Sequence, residues 1–273
     1  MKALITHFIP PILLNAFKQL IISSAPRYET YDEAFLSCQN DTYENIDLVK
    51  VVVDKNLIYR QKLHADTVFD LGTLRTLIAL GLSKTNDALN VVDFGGSAGY
   101  HFTVASKALG EETKLKWNVV ETKVMAKEAQ RIAVDGLKFF DNTSDAVKDL
   151  GDVDLVFTSS ALQYCSSPIA FLKQLIDINA KYIYITRTPF CNSSHSIITT
   201  QESKLSANGP GPLPNKYKDK TIKYPIFFAS RQEVETILSE KYEIRFKTQE
   251  GEGVFKVPNA MISMDGYFCI RKS

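Results

Sequence analysis

The residues best suited to chemistry in this 273-residue chain lie between Val91 and Glu121. Val91-Val92-Asp93-Phe94 is a short apolar run holding one acid, and Gly95-Gly96-Ser97-Ala98-Gly99-Tyr100 follows it directly. The apolar run suits a buried strand of a parallel sheet. Paired glycines let the backbone turn through conformations closed to residues with a Cβ, and let a ligand approach the main chain. Helix-forming residues follow from about Thr103, so the turn presents unpaired N–H groups at the start of a helix. Leu115 to Val120 reads as the next strand, and Glu121 sits at its carboxyl end. A carboxylate placed there can accept both hydroxyls of a ribose.

A dinucleotide turn requires G-x-G-x-x-G, a spacing that Gly95-Gly96-Ser97-Ala98-Gly99 does not have. An acid just ahead of the glycines, as at Asp93, is where Rossmann-like enzymes using S-adenosylmethionine (SAM) carry one. Their usual D-x-G-x-G-x-G pattern has a glycine where this chain has Ser97. The expectation is a SAM site on Asp93, Gly95, Gly96, Ser97, Gly99 and Tyr100, with the ribose on Glu121. A third strand, Leu137 to Phe140, ends at Asp141 and Asn142, at the height where adenine should lie. The fourth, Val153 to Phe157, brings Ser159 to the same edge and adds it to the cofactor residues.

Groups that could handle a methyl acceptor collect at that edge too. The fourth strand leads to Gln163 and Tyr164, and the fifth, Tyr182 to Thr186, leads to Arg187. His195 follows in a polar Asn192-Ser193-Ser194-His195-Ser196 loop. A histidine suits removal of a hydroxyl proton as the methyl arrives, although a loop histidine is also ordinary surface. His101, just past the glycines, is a rival base that could equally pack against the cofactor. Arg187 could grip a phosphate or carboxylate with two prongs, or brace the sheet edge through backbone carbonyls. The catalytic candidates are therefore His195, Tyr164 and Arg187.

The elements that must position these residues alternate strand and helix from Val91 onward, the pattern of a doubly wound α/β sheet. Tyr242 to Phe246 and Gly266 to Arg271 complete seven strands, most of them parallel. Ser230 and Glu233 form an S-x-x-E capping box for the helix ending near Leu238. Residues 187–229 read as a long irregular insertion carrying Lys216, Lys218, Lys220 and Lys223, more a solvated face than a binding patch. Residues 1–89 read as a helical extension, with helices over Tyr31 to Leu36, Ile46 to Leu63 and Leu71 to Leu82, ahead of a SAM-binding domain at 90–273. Such an extension either lids a site or covers a sheet edge.

A formal net charge of +1 argues against a nucleic-acid partner held by bulk electrostatics. Cys38, Cys165, Cys191 and Cys269 form no C-x-x-C pair, so neither a disulfide framework nor a metal site is expected, and a reducing cytoplasm is the default.

Asp93-Phe94-Gly95-Gly96-Ser97-Ala98-Gly99, Phe139-Phe140-Asp141, Ser160-Ala161-Leu162-Gln163-Tyr164, Arg187-Thr188-Pro189, Gln201 and Tyr224-Pro225 occur in that order. Together they resemble a family of bacterial class I SAM-dependent methyltransferases with D-F-G-G-S-x-G, L-Q-Y and R-T-P motifs. The resemblance spans residues 25–271 and includes Ser97, the family's own choice at that position. It implies a Rossmann-like fold, SAM as cofactor and S-adenosylhomocysteine (SAH) as product. It also implies O-methylation of a glycan, a sugar phosphate or a related cell-surface precursor, because such genes often lie among polysaccharide-assembly genes. The acceptor is then a small molecule or glycan. The competing expectation is a non-catalytic SAM-binding or glycan-assembly scaffold.

Near the N-terminus, residues 12–22 place Leu13, Phe17, Leu20 and Ile21 on one helical face, with Lys18 and Gln19 off it. A membrane-surface anchor would carry more Lys and Arg on its polar face, so docking on the body of the protein is expected. The protein should then ignore anionic vesicles in a sedimentation assay. Vesicle binding that Phe17→Glu abolishes without unfolding the protein would establish an anchor instead.

Overall fold

The computed structural model describes residues 26–38, 43–63, 67–85, 87–250, 255–257 and 260–273, so the 12–22 segment lies outside the described residues. Three helices come first: α1 (Tyr31–Ser37), α2 (Ile46–Lys62) and α3 (Leu71–Ser83). Each starts at a side-chain cap, from Thr30, Asn45 and Asp70 respectively. The chain then alternates through β1 (Ala88–Phe94), α4 (Tyr100–Leu109), β2 (Lys114–Val120), α5 (Lys123–Ala129), β3 (Leu137–Phe140), α6 (Thr143–Leu150), β4 (Leu155–Ser159), α7 (Pro168–Asp177) and β5 (Tyr182–Cys191). After these come β6 (Ile197–Lys204), β7 (Thr221–Ser230), α8 (Arg231–Lys241), β8 (Tyr242–Gln249), β9 (Phe255–Val257) and β10 (Ala260–Arg271).

The strands form one ten-stranded sheet whose main path runs β3-β2-β1-β4-β5-β10-β8. β3, β2, β1, β4 and β5 are parallel, and β10 is antiparallel to both of its neighbours. This is the Rossmann-like, mostly parallel arrangement expected from the sequence, widened by β6, β7 and β9. Both faces are covered. Val91, Trp117 and Phe157 point into one core with Leu48, Val52 and Leu80 of α2 and α3, and with Phe102 of α4. Val92, Val156 and Ile183 point into the other, against Ala146 of α6, Leu172 of α7 and Leu238 of α8. Burial on both faces explains why these strands read as continuous apolar runs. It also shows what two helices of the N-terminal extension do: α2 and α3 supply part of a covering layer.

Two local expectations are corrected. Residues 187–229 are not an irregular insertion. β5 continues to Cys191, and β6 and β7 form an antiparallel hairpin running from Ile197↔Phe228 to Lys204↔Thr221. Ile222, Tyr224, Ile226 and Phe228 alternate at the strand period and are all buried; the neighbouring Gly-Pro pairs and lysines hid that rhythm. Ser230 does precede α8, but its side chain makes no cap. Its hydroxyl donates instead to the Ser193 carbonyl at 2.9 Å, tying the β5–β6 turn to β7.

Two lysines of the β6–β7 connection reach α2. Lys220 Nζ lies 2.6 Å from Asp47 Oδ2, and Lys216 Nζ 2.5 Å from Asp54 Oδ2. Asp54 also accepts from the Tyr217 hydroxyl at 2.5 Å and from Arg131 after α5. The next residue, Lys55, is 1% exposed and donates to the Ser206 and Asn208 carbonyls at 2.9 and 2.6 Å. One stretch of α2 thus anchors the β6–β7 connection. Among the described residues no helix is long and apolar enough to cross a membrane.

Burial works against the Asp54 carboxylate, but Lys216, Tyr217 and Arg131 outweigh it and hold its pKa at about 2. A depressed carboxylate stabilises fully above its ordinary value of 3.8, and that contribution disappears as pH falls toward about 2. Asp54→Asn should therefore cost about 1–2 kcal/mol at neutral pH, after allowance for solvent screening at the exposed lysine. It should also flatten the acid limb of stability between pH 4 and 2, roughly the window of the shift. Urea unfolding at several pH values checks this, and an unchanged acid limb would remove Asp54 from the account.

Candidate active site

Strand order reverses between β1 and β4: the chain builds outward through β2 and β3, then returns to the other side of β1. Ligands of open α/β sheets bind in the crevice at the carboxyl ends of the strands flanking such a switch. The glycine turn lies there. Gly95 has φ 69°, and a Cβ on it would sit 2.1 Å from the Ala161 Cβ after β4. A Cβ on Gly96 would sit 2.2 Å from Asp93 Oδ2. Ser97 adopts a left-handed φ of 56°, and its N–H donates to Glu121 Oε1 at 2.9 Å. Gly99 is the N-cap of α4, which opens with Tyr100.

Asp93 is completely buried at the end of β1, on the α4 side of the sheet. Oδ2 accepts the Trp117 indole N–H at 2.8 Å, whereas Oδ1 is buried without a partner. Burial raises its pKa to about 7, against the lowering effect of the Trp117 bond. Burial also raises Glu121, opposed by N–H groups from Thr122 (3.0 Å) and Ser97. Two adjacent acids with unmet acceptor capacity fit a ligand bearing positive charge and paired hydroxyls, as SAM does with its ammonium, sulfonium and ribose. At the end of β4, Ser159 is 9% exposed and its hydroxyl also has no partner.

The remaining cofactor candidates have local duties. Asn142 caps α6 by accepting the Asp145 N–H at 2.8 Å, and it donates to Asp141 at 3.1 Å. Both are exposed at the carboxyl end of β3. The Tyr100 hydroxyl lies 3.4 Å from Thr73 Oγ1, which ties α4 to α3.

Beside this crevice the structure gathers a second group. Tyr164, in the short turn after β4, stacks on Tyr43 with ring centres 4.9 Å apart, and Tyr224 stands edge-on to both. Burial raises the Tyr43 hydroxyl, with smaller upward contributions from Tyr164, Tyr224 and Glu121 and a downward one from Arg187. Burial raises Tyr164 to about 12. His101 sits edge-on to Phe157 at 4.8 Å with Nδ1 buried and unpartnered. Burial, then the Arg187 charge, lower its pKa to about 3, so it is neutral. Arg187 is exposed, with a left-handed φ of 52°.

His195 does not join this group. It is exposed in the β5–β6 turn and lines a groove with Lys173, Ser196, Gln232 and Glu233 on the opposite, α7–α8 side. Two members of the site escaped the sequence. Tyr43 belonged to a tyrosine-rich extension with nothing to single it out. Glu250, which takes the Arg187 N–H, follows β8 with no motif around it. Among the described residues no cluster of three His, Cys, Asp or Glu side chains could hold a metal ion.

No protein-family profile matches this chain, and no curated protein matches it. Similar solved structures include the N-terminal domain of EvdMO1 with SAH and D-fucose, 10% identical, covering 82% of this chain and 97% of that one at a TM-score of 0.48. A SAM-dependent methyltransferase from Clostridium acetobutylicum is 10% identical over 80% of this chain and 97% of its own, at 0.47. CalS10, an amino pentose methyltransferase from Micromonospora echinaspora, is 10% identical over 77% of this chain and 100% of its own, at 0.46. Scores at this level establish no activity.

Glu121→Ala removes a charge-assisted acceptor and should weaken SAM binding by about 1.5–3 kcal/mol, roughly 10- to 150-fold. Gly96→Ala should weaken it as well, because its Cβ collides with the Asp93 carboxylate. Calorimetry on folded variants measures both. Wild-type affinity in Glu121→Ala would remove the ribose from that acid.

Proposed function

We propose that this protein is a SAM-dependent methyltransferase acting on a hydroxyl of a small-molecule or glycan acceptor. The observation that carries the reading is the pair Asp93 and Glu121. One is buried with a free oxygen and the other is clasped by the glycine turn, both at the topological switch point. The motif resemblance supports SAM as cofactor, and it supports a glycan, sugar phosphate or related precursor as acceptor. In this reading Gly95, Gly96, Ser97, Gly99, Tyr100, Asp141, Asn142 and Ser159 line the cofactor crevice, with Arg187 and Tyr164 in the acceptor pocket.

When bound, SAM supplies an already activated methyl group. The protein's task is alignment and exclusion of water, and orientation of this kind contributes up to about 7–11 kcal/mol. Tyr43 and Tyr164 form the apolar wall that does the excluding. A hydroxyl acceptor gives up its proton as the methyl arrives, and His101 Nδ1 is the buried, neutral, unpartnered nitrogen beside Arg187. Burial is the larger cause of the low His101 pKa, and an anion paired with Arg187 would relieve the smaller, charge-borne part. His195, on the far side of the sheet, is the comparison.

Extracts supplied with methyl-labelled SAM should yield a labelled acceptor, with SAH as the second product. With SAM saturating, His101→Ala should then slow turnover by roughly 10²- to 10⁴-fold and shift its pH profile, whereas His195→Ala stays close to wild type. The reverse pattern would hand the base to His195. SAM binding without any labelled acceptor would favour the scaffold, and absence of SAM binding would end both readings.

A further inference from the structure

We infer that Arg187 anchors a subsite for an acceptor carboxylate or phosphate, and that Glu250 is the positioning residue that keeps this arginine open. The inference rests on the methyltransferase reading and names its substrate class: an acceptor that carries an anion as well as the hydroxyl to be methylated.

An exposed arginine near acids is ordinarily neutralised by one of them. Two acids lie near Arg187, and each is committed elsewhere. Glu250 has a fully buried side chain. It accepts from Thr186 Oγ1 at 2.7 and 2.8 Å, from Thr248 Oγ1 at 2.7 Å and from the Arg187 main-chain N–H, and Arg75 Nε stands 3.7 Å away. Asp70 caps α3 through the Thr73 N–H at 2.7 Å. Among the described residues the Arg187 guanidinium has no hydrogen bond and no ion pair, while its charge is felt at Tyr43, Tyr164, His101 and Asp70.

The backbone is arranged to hold this state. Arg187 is one of the few non-glycine residues with a left-handed φ, a conformation that persists only where its surroundings impose it. Glu250 imposes it by receiving the Arg187 N–H from below. Room for that carboxylate comes from Gly266 in β10, where a Cβ would lie 2.4 Å from Glu250 Oε1. β5, β8 and β10 thus converge on one buried carboxylate whose output is the direction of one arginine. A guanidinium offers planar paired donors that match carboxylate and phosphate oxygens alike.

The test is made on SAH-saturated protein, with SAH binding measured first. Protein that fails to take up SAH overturns the methyltransferase reading itself, before any anion is added. The Arg187 Nε–Hε NMR signal, assigned by its loss in Arg187→Lys, is then followed during titration with inorganic phosphate and, separately, with acetate, against chloride at matched ionic strength. A saturable shift is expected, in the phosphate arm for a phosphate subsite and in the acetate arm for a carboxylate one. Glu250→Gln should weaken it roughly tenfold or more with SAH affinity retained. Thr186→Val, which removes one donor to Glu250, provides the same test should Glu250→Gln not fold. No saturable shift with either anion overturns the subsite, and wild-type anion affinity in both variants overturns the role of Glu250.

Discussion

A carboxylate buried at the end of β1 leaves no space above it for a side chain, and much of the site follows from that exclusion. Asp93 lies beneath Gly96 so closely that a Cβ there would overlap its oxygens. The main chain therefore crosses low over the strand end, with Ser97 turned so that its N–H meets Glu121 at the end of β2. A desolvated acid is costly unless paired or neutral. The Trp117 indole answers one oxygen, and burial raises the carboxyl pKa to about 7 against that bond.

The glycine turn and the two acids beside it were legible in the sequence because they are local. Asp93 to Tyr100 are contiguous, and Glu121 ends the very next strand, so one supersecondary unit holds the whole signal. Arg187 and Tyr164 were legible as ends of strands arriving at the same edge. Glu250 was not: it is 63 residues from the backbone it holds, and only the antiparallel return through β8 and β10 brings them together. Tyr43 likewise gains its meaning from two partners, Tyr164 and Tyr224, on distant elements. His195 was chosen on residue type and loop position, and the extension of β5 by five residues beyond Thr186 carries it past the edge. Ser230 and Glu233 had the spacing of a cap, but the Ser230 hydroxyl is turned to donate to the Ser193 carbonyl and accepts no helix N–H.

The helices ahead of β1 are bound to the sheet by polar as well as apolar means. Asp54 and Lys55 are consecutive on α2 and nearly inaccessible; Lys55 is engaged by the β6–β7 connection, and Asp54 by that connection and by Arg131. Apolar burial is non-directional, whereas these contacts fix one register between helix and hairpin. Tyr43, just ahead of α2, packs against Tyr164 and Tyr224.

The chain contains a single tryptophan, and its indole nitrogen is bonded to Asp93. The excited indole is sensitive to charge placed next to its ring, so the emission colour and intensity of Trp117 respond when Asp93 gains or loses its proton, and when a cation settles beside it. With no second indole contributing background, the unlabelled protein carries an optical gauge at the floor of its own crevice.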